Sequence, residues 1–157
     1  MLASLLLATQ LAQASDIGKT KTFGIGVAIG YPMSVTGKFW LDDKGGIAVF
    51  AGTGFTYFNF RGQYERDFIE FHDWDWAQFG MYWDIGAELN VYPTSFLYRT
   101  GGIGPGVYGG VGAWLRFHNV PAEVFVEVDA GAQYVTYSSI VPIAPLYHTI
   151  AGGRWYF

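Results

Sequence analysis

The sequence predicts an all-β chain, an eight-stranded antiparallel up-and-down transmembrane β-barrel, on three observations. The first is a repeated alternation of apolar with small or polar residues, the period of a strand. The second is composition. Aromatic residues make up 19% and charged residues only 14% of 157 residues, against about 25% charged in an ordinary soluble domain. The third is the ending. In 148–157, Thr149, Ala151, Gly153, Trp155 and Phe157 share one face, and His148, Ile150, Gly152, Arg154 and Tyr156 share the other. Left alone, such a strand exposes unpaired backbone and a large aromatic surface. The first strand is its natural partner, and that pairing closes a barrel.

Residues 1–14 carry no charge, have an apolar segment over 2–11, and end in Ala12-Gln13-Ala14. They read as a secretory signal peptide with an Ala-x-Ala cleavage site, its positively charged region missing and its start truncated. The barrel domain is then 15–157. Residues 130–153 are uncharged but interrupted by Pro142 and Pro145, so a membrane crossing, if made, is made by strands. The net charge of −4, without a basic cluster, gives no basis for nucleic-acid binding. The absence of cysteine excludes disulfides and thiolate sites.

The first strand, 22–31, alternates most cleanly. Phe23, Ile25, Val27, Ile29 and Tyr31 oppose Gly24, Gly26, Ala28 and Gly30. Its bare inner face is expected to make room for long side chains from strands across a narrow barrel. In 35–41, Val35, Gly37, Phe39 and Leu41 oppose Thr36, Lys38 and Trp40, and Asp42-Asp43-Lys44-Gly45-Gly46 is a turn. The third strand, 47–52, is apolar on both faces, so its facing is open. After a Gly52-Thr53-Gly54 hairpin, 55–66 sets Phe58, Phe60, Gly62 and Tyr64 against Asn59, Arg61, Gln63 and Glu65.

Residues 67–76 keep no period and read as a long connection. In 79–92, Phe79, Met81, Trp83, Ile85, Ala87, Leu89 and Val91 oppose Gly80, Tyr82, Asp84, Gly86, Glu88 and Asn90. In 103–117, Val107, Val111, Ala113, Leu115 and Phe117 oppose Tyr108, Gly110, Gly112, Trp114 and Arg116. The strand 122–135 sets Val124, Val126 and Val128 against Glu123, Phe125, Glu127 and Asp129, and a loop over 136–147 leads to the closing strand. Eight strands at roughly 18 residues each with connections suit transmembrane strands of about 9 to 11 residues. Phe23, Tyr31, Phe79, Tyr92, Phe117 and Phe157 stand at strand ends, where membrane barrels carry aromatic girdles.

On this facing, Lys38, Arg61, Arg116 and Arg154 share the interior with Glu65, Asp84, Glu88, Glu123 and Glu127. Unpaired charge there is costly, so this near balance implies a paired network, a polar plug without an open pore. Asp84 and Glu88 lie more than about 10 Å apart along a strand, too far for paired acid-base work. His72, His118 and His148, with Ser138 and Ser139, form no nucleophile motif. The run His72-Asp73-Trp74-Asp75-Trp76 reads as an interfacial aromatic loop rather than a metal site. Gly104-Pro105-Gly106-Val107-Tyr108-Gly109 matches G-x-G-x-x-G in form, but it lies within a strand and precedes no helix. No catalytic residue, metal or cofactor is expected.

Taken together, the Gly-rich first strand, Lys38-Phe39-Trp40, Val124-Phe125-Val126-Glu127-Val128 and the aromatic terminus resemble the small eight-stranded outer-membrane barrels of Gram-negative bacteria. The likeness is to the OmpX and OmpA membrane-domain type, within it to a Gly-rich subgroup, and it covers essentially all of 15–157. The resemblance implies a monomer in outer-membrane lipid, with both termini on the periplasmic side and a structural or surface-interaction role. It also implies a C-terminal strand read by the barrel-assembly machinery through Gly152, Trp155 and Phe157, although Ile150 stands where that signal usually has a polar residue. Two other classes make different predictions. A membrane-embedded lipid-modifying enzyme predicts changed lipid species that depend on His148, and a soluble lipocalin-like carrier predicts an apolar cavity.

Overall fold

The computed structural model describes residues 17–93, 101–136 and 142–157. The expected signal segment 1–14 and Ser138 and Ser139 lie outside them. The strands are β1 (Phe23–Tyr31), β2 (Met33–Trp40), β3 (Gly45–Thr53), β4 (Phe58–Asp73), β5 (Ala77–Tyr92), β6 (Gly102–Phe117), β7 (Ala122–Tyr134) and β8 (Ile143–Tyr156). Each pairs antiparallel with its sequence neighbour, and β8 pairs with β1 from Gly24↔Tyr156 to Tyr31↔Thr149, so the sheet closes. The terminal strand therefore has no free edge. A row of paired residues leaving β1 at Gly24 passes Lys38, Ala48, Gln63, Gly86, Tyr108 and Gly131 and reaches β8 at Leu146. Gly24 itself pairs with Tyr156, so the stagger around the barrel is ten residues. Such stagger and strand tilt are linked by closure.

Alternation decides which side chains enter. On β1, Val27 is 60% and Ile29 63% exposed, whereas Lys38 on β2 and Glu65 on β4 are each 1% exposed. The facing of β3, which composition left open, puts Ala48 and Phe50 inside and Ile47 and Val49 outside. Register with β2 sets this, because Lys38 pairs with Ala48 and carries it inward.

The interior is filled by aromatic residues lying over glycines on the adjacent strand. Gly24 pairs with Tyr156, Gly80 with Trp114, Gly112 with Tyr82, Gly86 with Tyr108 and Gly152 with Phe125. A Cβ at these glycines would lie 2.2–2.7 Å from the partner ring. At Gly24 the covering ring comes from the neighbouring strand rather than from across the barrel, while Arg154 does reach over β1 to Thr36 on β2 and Glu65 on β4. Gly30 differs, since its φ of +132° and the Thr149 carbonyl 2.2 Å from a would-be Cβ both demand glycine.

Three further expectations are corrected. Residues 67–76 are not a long connection: β4 runs to Asp73, β5 starts at Ala77, and Trp74-Asp75-Trp76 turns between them. Two register irregularities, between Asp67 and Ile69 and between Glu70 and His72, shift the side-chain alternation, which is why no period survives there. Pairing of β4 with β3 ends at Arg66, so the tip has β5 alone as partner, and Phe68, Ile69 and Phe71 are exposed. The fourth strand begins at Phe58 rather than 55, with Phe55 fully outside the ladder. Tyr92 belongs to no outer girdle: its parity is that of Asn90, so it is buried and donates to Gln133 Oε1 at 3.1 Å.

The turn expected over 42–46 is shorter, 41–44, because Gly45 and Gly46 already pair as the start of β3. Asp42 Oδ1 accepts from the backbone N–H groups of Lys44 (2.8 Å) and Gly45 (2.6 Å), which hold this carboxyl below its ordinary range.

Candidate functional site

The candidate site is the barrel interior, built from inward positions of β2 and β4–β8. All nine charged residues expected there are buried: Lys38, Arg61, Glu65, Asp84, Glu88, Arg116, Glu123, Glu127 and Arg154. They fall into two groups. Phe50 and Phe125 meet edge to face between these groups, ring centroids 6.5 Å apart. Arg61 stacks on Phe50 at 4.2 Å and Arg154 on Phe125 at 4.1 Å.

The first group lies toward the end that carries the start of β1 and the close of β8. Lys38 Nζ is 2.6 Å from Glu65 Oε2, and Arg154 reaches Glu65 Oε1 at 3.1 Å and Glu123 Oε1 at 3.2 Å. Arg116 holds Glu123 at 2.8 Å and Asp67 at 2.6 Å. Three cations thus face three carboxylates. Tyr156 Oη donates to Glu123 at 3.1 Å, and Arg116 rests 3.7 Å from the Trp114 ring. Ions taken out of water are stable only with such full pairing.

The second group is acidic. Arg61 Nη1 reaches Asp129 Oδ2 at 3.1 Å and Glu127 Oε1 at 3.5 Å. His148 bridges Asp129 (Nδ1, 3.2 Å) and Glu88 (Nε2, 2.9 Å). Glu127 Oε2 accepts from Gln63 Nε2 at 2.7 Å and Tyr82 Oη at 2.8 Å. Asp84 has no hydrogen-bond partner on either oxygen among the described residues, and Asp129 Oδ1 has none. One oxygen from each of Asp84, Glu127 and Asp129 lies within 4.8 Å of the others, a set that could hold a cation.

Beyond Glu88 the interior opens into a cavity of about 320 Å³, lined by Tyr31, Tyr57, Asn90, Tyr92, Gln133, Leu146 and His148 among others. Its polar groups hold one another: Asn59 Nδ2 donates to Glu88 (3.0 Å) and Asn90 (2.8 Å), Asn90 donates to Glu88, and Asn90 donates to Gln133 at 3.0 Å.

Asp67, Asp129 and His148 join the network without having been expected in it. Asp129 and His148 carry the signal in their inward parity, while Asp67 sits where the bulges begin. The near balance of charge is therefore a correction: among the described residues seven carboxylates (Glu65, Asp67, Asp84, Glu88, Glu123, Glu127, Asp129) are buried with four Lys or Arg. The other histidines lie apart, His72 beside Trp74 on the hairpin tip and His118 3.1 Å from Asp73. His148 has carboxylates on both ring nitrogens, and no hydroxyl of a described Ser or Thr is bonded to it. The G-x-G-x-x-G match lies inside β6. At the C-terminus, Trp155 and Phe157 are exposed on the outer face, and Gly152 lies inward under the Phe125 ring. Compared with known proteins, the chain matches no family model, no curated protein and no solved structure.

Proposed function

We propose that this chain is a bacterial outer-membrane β-barrel with a structural or surface-interaction role and no open pore. The observation that carries the reading is its polarity: aliphatic and aromatic side chains cover the outside of every strand, and the buried charges are inside. A barrel in water has the opposite need. An exposed apolar belt of this extent is stable against lipid, where closure also satisfies every ladder hydrogen bond. A lipocalin-like carrier would need an apolar cavity, whereas the space at the open end sets Glu88, Asn90, Gln133 and His148 among Tyr31, Tyr57, Tyr92 and Leu146.

The barrel would act as a monomer in outer-membrane lipid. Its two termini and the short connections 41–44, 74–76 and 118–121 would lie on the periplasmic side. The barrel-assembly machinery would read Gly152, Trp155 and Phe157 on β8. Exposed Phe23, Trp155 and Phe157 at that end, with Trp74 and Trp76 on the hairpin tip, suit the interfacial girdle of such barrels.

The test is extraction and gel mobility. The chain is expected in the detergent-soluble outer-membrane fraction, and its unheated and boiled forms should migrate differently in SDS. Identical mobility together with solubility in plain buffer would overturn the reading.

A further inference from the structure

We propose that the barrel interior holds one calcium-sized divalent cation on Asp84, Glu127 and Asp129. The proposal needs the barrel but not its location in a membrane. It begins with a row of three paired residues. Asp84 on β5 pairs with Gly110 on β6, and Gly110 pairs with Asp129 on β7, so two inward carboxylates flank a residue with no side chain. Glu127 follows on the same face of β7. A Cβ at position 110 would stand 2.2 Å from Asp129 Oδ1. Glycine here keeps clear the space into which the carboxylates converge.

Three facts point from this geometry to an ion. Asp84 is 4% exposed and, among the described residues, both its oxygens lack a hydrogen-bond partner, as does Asp129 Oδ1. Buried carboxylates without donors are expensive, and a metal ion satisfies them directly. The charge is also unbalanced on this side alone: Asp84, Glu88, Glu127 and Asp129 face Arg61 and His148, while the other group pairs three cations with three carboxylates. Arg61 contributes only Nη1, its Nε and Nη2 having no hydrogen-bond partner. Finally, the donor set is oxygen only, which selects hard cations. Oxygens within 4.8 Å of one another can share an ion at the Ca–O distance of about 2.4 Å, and calcium accepts such an irregular set, whereas magnesium demands near-ideal octahedral geometry and gives up its water reluctantly. The cavity over Glu88 and His148 lies next to this set, since His148 lines it and touches Asp129.

The experiment uses the full folded chain, stripped with EDTA and titrated with CaCl2 by calorimetry. One site is expected, with at least tenfold weaker binding of MgCl2. Asp84→Asn removes a carboxylate that no side chain holds, so it should fold, and it should weaken calcium binding at least tenfold. Asp43→Asn and Asp75→Asn, on exposed turns, should bind as the unaltered chain does. On that unaltered chain alone, CaCl2 should raise the unfolding temperature by about 5–10 °C at a hundredfold excess over Kd, and NaCl of equal ionic strength should not. No calcium heat and no such rise would overturn the proposal, leaving protons as the neutralising charge. Equal binding by Asp84→Asn would also overturn it, as would equal binding of magnesium.

Discussion

Arg154 is held between Glu65 and Glu123, each of which keeps a second cation, Lys38 or Arg116. Arg154→Leu therefore leaves each carboxylate with one cationic partner instead of two, and the loss should fall at the lower end for a broken buried pair, about 3 kcal/mol. A lower urea midpoint, followed by tryptophan fluorescence in detergent, is the expected result, and an unchanged midpoint would contradict the pairing. Adding Glu65→Gln should cost less than the two single losses summed, because the two groups share one contact. Parity made most of this network legible: counting by twos from Asn59 puts Arg61, Gln63 and Glu65 on one face without any knowledge of the fold. The partners were not legible. Arg61 and Asp129 meet across the barrel because of the ten-residue stagger, which no single strand reports. The acidic surplus was legible only in part: Asp129 shares the inward parity of Glu123 and Glu127, whereas Asp67 lies at the edge of a stretch without period.

At the scale of elements, the seam between β1 and β8 depends on Gly24 lying beneath Tyr156. A Cβ at Gly24 would lie 2.6 Å from that ring, and the ring cannot move away without leaving Glu123. Gly24→Leu should lower stability by about 1–3 kcal/mol through overpacking. Combined with Tyr156→Ala, it should cost less than the sum of the two separate changes, since the clash is gone once the ring is removed. Additive losses in denaturant titrations would show that the two residues do not share space. Closure of this seam was readable from the sequence, because a terminal aromatic strand needs a partner and the Gly-rich first strand offers one. The tip of the β4–β5 hairpin was not readable. Its two bulges shift Phe68, Ile69 and Phe71 off a single face, so the signature of a strand is erased where the strand itself continues.

For the whole molecule, the question is whether the interior conducts. The side chains of Lys38, Glu65, Glu123, Arg154 and Tyr156 are almost wholly buried and bonded to one another. Phe50, Phe125 and Trp114 fill the space beside them. An ion crossing from the open end would pass His148 and the acidic group, then meet paired cations backed by aromatic rings. Moving one of those cations aside would break buried pairs at a cost of several kcal/mol. An eight-stranded barrel has an interior only wide enough for side chains to fill. Reconstituted into planar bilayers, the chain should therefore give no resolved, reproducible conductance steps. The opposite result would mean that the paired layer opens on the timescale of the recording. In that case the surplus of carboxylates near the entry should make the current cation-selective, and Asp84→Asn together with Asp129→Asn should reduce that selectivity.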